Sequence, residues 1–297
     1  MRTASIIIAA HNEEKRIGRC LDSLLAIDYD AGAVQIIVVD NSSNDATVEI
    51  VRSYPVTLVS EPRKGAAHAR NAGIEQAHHE IIVFVDADAV VAPDWLLHLT
   101  SAFDNPKIGA VGGKILPIND TLISAYFRHA ILGRYQAYEN ERHERSYATC
   151  NLAIRREWLL KEKFDPSFTV AEDIELTTRL VKKGCTLLYQ PLAVVRHEHP
   201  STIWEFIAYW RKWAQGRYLL CQKKTRGKVC FAMRYQIVTL YYLGTASALL
   251  INDGWALGLI GLFFVFLFAF VPKEFAVDRK IFLNLAVVPI LNATALL

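Results

Sequence analysis

The chain has 297 residues, 52% of them hydrophobic and 21% charged, with a formal net charge of +3. It exceeds a typical single domain of about 100–200 residues, and its mean hydropathy of +0.18 is high for one soluble enzyme. The small net charge gives no reason to expect a nucleic-acid partner. The five cysteines (Cys20, Cys150, Cys185, Cys221 and Cys230) are scattered and odd in number. That argues against a disulfide framework or a zinc site and fits a reducing cytoplasm.

The N-terminal stretch "MRTASIIIAAHNEE" has a short β-branched run ending in polar groups, which reads as a first strand rather than a signal peptide. "EEKRIGRCLDSLLAI" then places Ile17, Leu21, Leu24 and Leu25 at helical spacing. "VQIIVVD" is a buried strand, and "SNDATVEIVRSY" is a helix for which Ser43 or Asn44 is the expected N-cap. "VTLVSE", "GAAHARNAGIEQA" and "EIIVFVD" continue the alternation. Strands alternating with helices predict an α/β domain with a mostly parallel sheet flanked by helices. Ligands of such sheets bind at the carboxyl ends of the strands, so His11, Asn12, Asp40, Glu61 and Asp86 are expected on one rim.

After residue 105, "IGAVGGKI" reads as a strand, residues 121–141 as a helix, and "YATCNLAIRREWL" as a strand entering a helix. "AEDIELTTRLVKKG" is a helix closed by Gly184, and "CTLLYQPLAVVRHEH" reads as a strand pair broken at Pro191. These elements set the first domain at 1–200.

Residues 201–222 carry Trp204, Trp210 and Trp213 among Arg211, Lys212 and Arg217, the composition of a helix lying in a membrane interface. An amphipathic helix packed on the sheet is the alternative. A basic juxtamembrane segment follows at 223–234, "KKTRGKVCFAMR", with no acidic residue. Residues 235–297 contain three apolar stretches, Tyr235–Ile251, Gly254–Pro272 and Ile281–Leu297, each of about 17–19 residues, the short end of what spans a bilayer. Basic residues before the first stretch and in "KEFAVDRK" predict a multi-pass cell-membrane protein whose N-terminal domain is cytoplasmic. A buried helical hairpin is the alternative.

Asp86 and Asp88 end a run that otherwise reads as buried strand, and unpaired carboxylates are seldom buried. Two hard oxygen ligands suit Mg²⁺ or Mn²⁺ completed by substrate phosphates; the other reading is a strand-to-helix turn capped by Asp. Lys64 precedes Gly65 at a helix start, with Arg70 further on, either an anion cradle or a plain amphipathic helix. Glu172 and Asp173 open a helix whose dipole favours ionised carboxylates, as a general base or as caps. His197 and His199 are metal-ligand candidates as neutral imidazoles, or polar edge residues.

Together, "IIIAAHNEEKRIGRCLDSL", "VVDNSSNDAT", "RKGAAHARNAG", "FVDADAVVAPDWL", "TCNLAIRREWL" and "AEDIELTTRLVKKG" resemble, in order and approximate spacing, the family-2 glycosyltransferases with the GT-A nucleotide-sugar-binding fold. The resemblance covers about residues 3–200. It implies that Asp40 and the Ala9–Glu13 stretch, including His11, hold a base and ribose. Lys64 and Arg70 would border the diphosphate and sugar, and Asp86 and Asp88 would place Mn²⁺ or Mg²⁺ on the diphosphate, with Asp88 ahead of Asp86 as the direct ligand. Asp173 would be the catalytic base, with Glu172 and Asn151 on the acceptor side.

The implied activity is inverting transfer of one sugar from a nucleotide-diphosphate sugar to a hydroxyl of a lipid-linked or cell-envelope saccharide. The Gln-x-x-Arg-Trp motif of the family's polymer synthases is missing from "YWRKWAQGR", which argues against processive synthesis. A polyprenyl-phosphate glycosyltransferase is the alternative, and a non-catalytic membrane scaffold on the same fold a remote one.

Overall fold

β-branched runs favour strands because the branched side chain packs well on a pleated surface, and the first ones here line up side by side. The computed structural model describes residues 2–119, 121, 123–124 and 139–225. Strand β1 (Ala4–Ala10) lies between β2 (Val34–Asp40) and β4 (Ile81–Asp86), parallel to both, and β3 (Thr57–Ser60) extends β2, again in parallel. Helices α1 (Ile17–Leu25), α2 (Thr47–Arg52) and α3 (Ala66–Gln76) connect them.

Alternation along β1 serves both faces of the sheet. Ile6 and Ile8 pack with Leu21, Leu24 and Trp95, whereas Ile7 packs with Ala67, Ala69, Ile74, Leu176 and Leu180. Burying each such aliphatic side chain contributes about 1.5–3 kcal/mol. Helix α3 lies close on the sheet because a Cβ at Gly73 would come within 2.5 Å of Ile7 Cγ2. That close approach brings the α3 residue Arg70 down to the sheet's rim.

Beyond Asp86 the order is β5 (Ala89–Val91), α4 (Trp95–Ser101), β6 (Ile108–Pro117), β7 (Arg142–Glu144), β8 (Asn151–Arg155), α5 (Arg156–Lys161), α6 (Glu172–Lys182), β9 (Thr186–His197) and α7 (Ile203–Thr225). Among the described residues the sheet has nine strands, in the order β3-β2-β1-β4-β8-β6-β9-β5, with β7 also on β9.

The expected mostly parallel sheet is therefore mixed. β8 runs antiparallel to β4 and β6, and β5 and β7 run antiparallel to β9. The β8 pairing has a direct consequence. With Val85 opposite Asn151, β8 begins at the rim where β1, β2 and β4 end, so the residues preceding it join that rim.

Three local expectations change. The strand pair broken at Pro191 is one strand, β9, whose register with β6 jumps from Gly113 opposite Gln190 to Lys114 opposite Val194. Proline has no N–H for the ladder, and the bulge absorbs it. Ser43 and Asn44 do not cap α2: Asp45 accepts from Thr47 N at 3.0 Å, while Ser43 and Asn44 bind the β1–α1 loop. Strand β5 intervenes between Asp88 and the helix foreseen there.

The chain forms two units, Met1–Gly216 and Arg217–Leu297. Only residues 217–225 of the second are described, as the end of α7. Most of the helix expected at 121–141 lies outside the described residues, and its last residues, 139–141, are not helical. Most of the basic segment and all three apolar stretches also lie outside. Among the described residues, no helix is long and apolar enough to cross a membrane.

Candidate active site

Parallel strands end in loops, and the first two loops here are stitched to each other. Asn12 N donates to Ser43 Oγ at 3.0 Å, Asn44 N to Asn12 Oδ1 at 2.9 Å, and Glu13 N to Thr47 Oγ1 at 2.7 Å. Asn12 and Ser42 sit at φ 58° and 63°, the left-handed region that Asn tolerates best among residues with a side chain. Sheet register sets Ala9 between Val39 and Asp86, and Ala10 beside Asp40. Asp40 is buried and accepts from Ser43 N at 3.2 Å. His11 Nδ1 donates to the Asn41 carbonyl at 2.8 Å, which fixes the proton on that nitrogen in the neutral ring.

Asn41 was not singled out from the sequence, yet it organises the next loop. Its amide donates to the carbonyls of Glu61 and Arg63, both at 2.8 Å, and its Oδ1 accepts from Gly65 N at 2.8 Å. Glu61 grips Arg63 through its guanidinium and backbone N–H, contacts that hold the Glu61 carboxyl down at about 2. Lys64 is presented from this loop, exposed. The available signal was an Asn directly after the strand-ending Asp in "VVDNSS".

The carboxylates gather at the ends of β4 and β9. Because Ala89 of β5 pairs with His197 of β9, the histidine stands beside the Asp86–Asp88 turn. His197 Nε2 lies 3.1 Å from Asp88 Oδ1 and 3.4 Å from Asp86 Oδ2. Its Nδ1 donates to the Glu198 carbonyl at 2.8 Å, which leaves Nε2 facing the acids. His199 is anchored elsewhere: its backbone exchanges hydrogen bonds with the Asn119 side chain, and its ring centroid is 5.7 Å from that of His197.

Arg70 supplies a second cation. Its guanidinium is 3.2 Å from Asp86 Oδ1 and is hydrogen-bonded to the buried Glu172 carboxylate. Arg70 thus bridges Asp86 and Glu172, with its guanidinium 5.7 Å from the centroid of the Phe164 ring. Burial alone would raise the Asp86 carboxyl, but His197 and Arg70 bring it down to about 2. Burial alone would lower the His197 imidazole, and the neighbouring Asp88 and Asp86 push it well above its ordinary value.

Asp173 behaves differently. Burial, with the charge of Glu172 adding to it, pushes its carboxyl up to about 6. Arg70 and hydrogen bonds from Ile174 N (2.7 Å) and Thr149 N (3.3 Å) offset this only in part. The helix start favours the ionised form of this carboxylate, but desolvation outweighs the dipole in setting its value.

Asn151 is fully buried, accepting from Trp95 Nε1 at 2.8 Å and donating to the carbonyls of Lys114 and Ala193, both at 2.9 Å. Its amide fastens the floor of the site. Cys150, which its sequence spacing did not mark, has its sulfur grouped with an Asp86 oxygen and a His197 nitrogen, all within 4.8 Å of one another. Glu13 is near enough for Asp88 to raise its carboxyl further, after burial. Carboxylate oxygens with an imidazole nitrogen form a donor set compatible with a divalent ion such as Mn²⁺. The side chains of Asp86 and Asp88, 33% and 24% exposed, remain open to a ligand.

Comparison with known proteins bears on the family and the fold. The model of the glycosyl transferase family 2 matches residues 5–162, more than half of the chain. The "Probable glycosyltransferase YdaM" of Bacillus subtilis is 29% identical over 268 residues, covering 81% of this chain and 63% of that protein. The poly-beta-1,6-N-acetyl-D-glucosamine synthase of Staphylococcus epidermidis is 28% identical over 231 residues, covering 71% and 54%. The chain thus spans less than two thirds of the length of these relatives. Among solved structures, the mannosyltransferase PcManGT from Pyrobaculum calidifontis, in complex with GDP-Man and Mn²⁺, superposes with a TM-score of 0.63 at 23% identity, over 97% of this chain and 86% of that one. TarS 1-349 of S. aureus gives 0.54 at 20% identity, over 72% and 65%. These likenesses establish a GT-A-like α/β fold with a mixed sheet, and the sequence match is decisive for ancestry: the chain belongs to glycosyl transferase family 2.

Proposed function

We propose that the protein transfers one sugar, with inversion, from a nucleotide-diphosphate sugar to a hydroxyl of a lipid-linked or cell-envelope saccharide. The observation that carries this reading is the contrast between two acids on one rim. Asp86 is held strongly acidic among cations, whereas Asp173 is raised to about 6 at the start of α6. A carboxylate with that basicity is still ionised at neutral pH and accepts a proton more readily than an ordinary aspartate.

In this reading Ala9, His11, Glu13 and Asp40 line the base and ribose, and Lys64 reaches the diphosphate. Arg70 holds Asp86 and Glu172 in register. Asp86, Asp88 and His197 would hold Mn²⁺ or Mg²⁺, and such an ion, when bound, neutralises charge developing on the leaving diphosphate. Asp173 takes the acceptor hydroxyl proton as the acceptor oxygen bonds to the anomeric carbon and the carbon–oxygen bond to the diphosphate breaks. The elevated basicity favours a hydroxyl acceptor over a polyprenyl phosphate, which needs no strong base.

We further propose that α7 rests on a membrane surface, at the cytoplasmic face, with the apolar stretches of 235–297 as anchors. Trp204 on α7 is 76% exposed, in keeping with an interfacial role.

The test is nucleotide release by the purified protein in detergent, across a panel of nucleotide sugars with Mn²⁺ or Mg²⁺, for wild type and Asp173→Asn. Release that depends on metal and on Asp173 is the expected result. An Asp173→Asn variant with near-normal transfer would favour the phosphate acceptor, and no release with any donor would favour the scaffold.

A further inference from the structure

Ala171 immediately precedes Glu172 and Asp173, and its backbone lies in the left-handed region at φ 63° and ψ 26°. An alanine is strained there because its Cβ crowds the backbone, a conflict that glycine escapes. Such a conformation persists only where the surrounding structure holds it. The first turn of α6 is tied on one side by the Arg70–Glu172 pair and by Thr149 N on Asp173.

Another constraint comes from α7. Gly216 is buried, and a Cβ built on it would stand 2.9 Å from Ala171 Cβ and 3.0 Å from Val170 Cγ1. Real Cβ atoms essentially never approach a neighbour at under 3.0 Å. A Val170 methyl could turn away, but Ala171 Cβ is attached rigidly to the backbone. Any side chain at 216 would therefore press on the backbone of the strained turn itself.

We propose that Gly216 is a positioning residue: its missing side chain lets α7 seat against Val170–Ala171 and hold the left-handed turn that presents Asp173 to the acceptor. The proposal rests on the reading of Asp173 as the base. It makes α7, the helix carrying the exposed Trp204, a mechanical support of the catalytic carboxylate.

The experiment compares Gly216→Ala, Ala171→Gly, the double variant and Asp173→Asn, with nucleotide-sugar turnover, calorimetric binding of the free nucleotide and the pH profile of kcat as readouts. Gly216→Ala is expected to lower kcat by about tenfold or more, the scale of a small misplacement of a reacting group. Nucleotide affinity and donor KM stay unchanged. The acid limb of the kcat profile moves below about 6, because a displaced Asp173 regains water. Adding Ala171→Gly removes the opposing Cβ, so the double variant should recover to within about twofold of Ala171→Gly alone.

Wild-type kcat and pH profile in Gly216→Ala would overturn the proposal. So would a double variant no better than Gly216→Ala, which would show that the contact does not run through Ala171. If Gly216→Ala does not fold, the double variant decides: it must melt and turn over like Ala171→Gly, and its failure to do so refutes the idea. Retained transfer in Asp173→Asn would instead sink the base assignment, whatever Gly216 does.

Discussion

His197 Nε2 lies 3.1 Å from Asp88 Oδ1, joining the end of β9 to the turn after β4. The pair exists because β5 docks antiparallel on β9 and sets Ala89 opposite His197. Asp88 and Asp86 favour the protonated imidazole, so in the proposed metal site His197 would have to release that proton to serve as a ligand. His197→Ala is expected to weaken Mn²⁺ binding by at least about 10–100-fold, which losing even a hydrogen-bond partner of a metal ligand costs. Asp88→Ala should abolish metal-dependent transfer with the domain still folded. Manganese titration followed by electron paramagnetic resonance, alongside circular dichroism, checks both; unchanged manganese affinity in both variants would remove the metal assignment.

Rate should depend on pH through Asp173. Only its ionised form accepts a proton, so kcat is expected to rise through about pH 6 and level off above it. Asp173→Asn should lose about 10²–10⁴-fold in kcat. The stability effect has the opposite sense. The folded-state value is raised above the ordinary 3.8, so this group favours the fold below that value, and the contribution is lost as pH rises through about 6. Between pH 4 and 7, wild type should therefore lose more stability than Asp173→Asn, as read from denaturant midpoints.

The Arg70–Glu172 pair offers a separate handle on the same carboxylate. Replacing Glu172 by Gln removes a charge that raises Asp173, so the acid limb of the kcat profile should move to lower pH. Burial, the larger cause, remains, so the value should not return to that of a free aspartate. A limb that stays fixed would mean that another group governs it.

Arg70→Met leaves the Glu172 carboxylate, with a side chain 10% exposed, without its cation. Breaking a buried pair in this way costs about 3–5 kcal/mol, because the remaining charge stays desolvated. Urea denaturation checks the figure. A loss below about 1 kcal/mol would show the pair to be as weak as a surface ion pair.

Asn151 separates a structural role from an acceptor role. Asn151→Ala strands Trp95 Nε1 and the carbonyls of Lys114 and Ala193, for an expected loss of about 2–4 kcal/mol of stability. Acceptor KM measured at a temperature where the variant is folded should be near normal. A stable variant with a raised acceptor KM would return Asn151 to the acceptor side.

The early elements were legible because their signals are local. "SIIIAA", "VQIIVVD" and "EIIVFVD" announce strands through β-branched side chains, and the helices between them through apolar residues at helical spacing. The same reading put Asp40, Asp86 and His11 on one rim, since parallel strands of alternating units end on the same side. Beyond residue 105 the local code still marked β6, β8 and α6, but not how they pair. Direction within a sheet depends on which strand is the neighbour, and periodicity along one strand carries no such information.

What the sequence by itself determined is the family, the strand-ending acids Asp40 and Asp86 with Asp88 in the turn that follows, and a carboxylate pair opening a helix, all of them contiguous patterns. The tertiary structure decided that β8 enters antiparallel beside β4 and delivers Cys150 to the rim, that His197 rather than His199 faces the aspartates, and that Arg70 is shared by Asp86 and Glu172. It also decided that Asp173 is a stronger base than its helix position suggests. Each of these depends on burial or on contacts between residues far apart in the chain, such as the 102 positions separating Arg70 from Glu172. Coulomb and desolvation energies follow distance and solvent access in space, and these come into being only when the strands take their register.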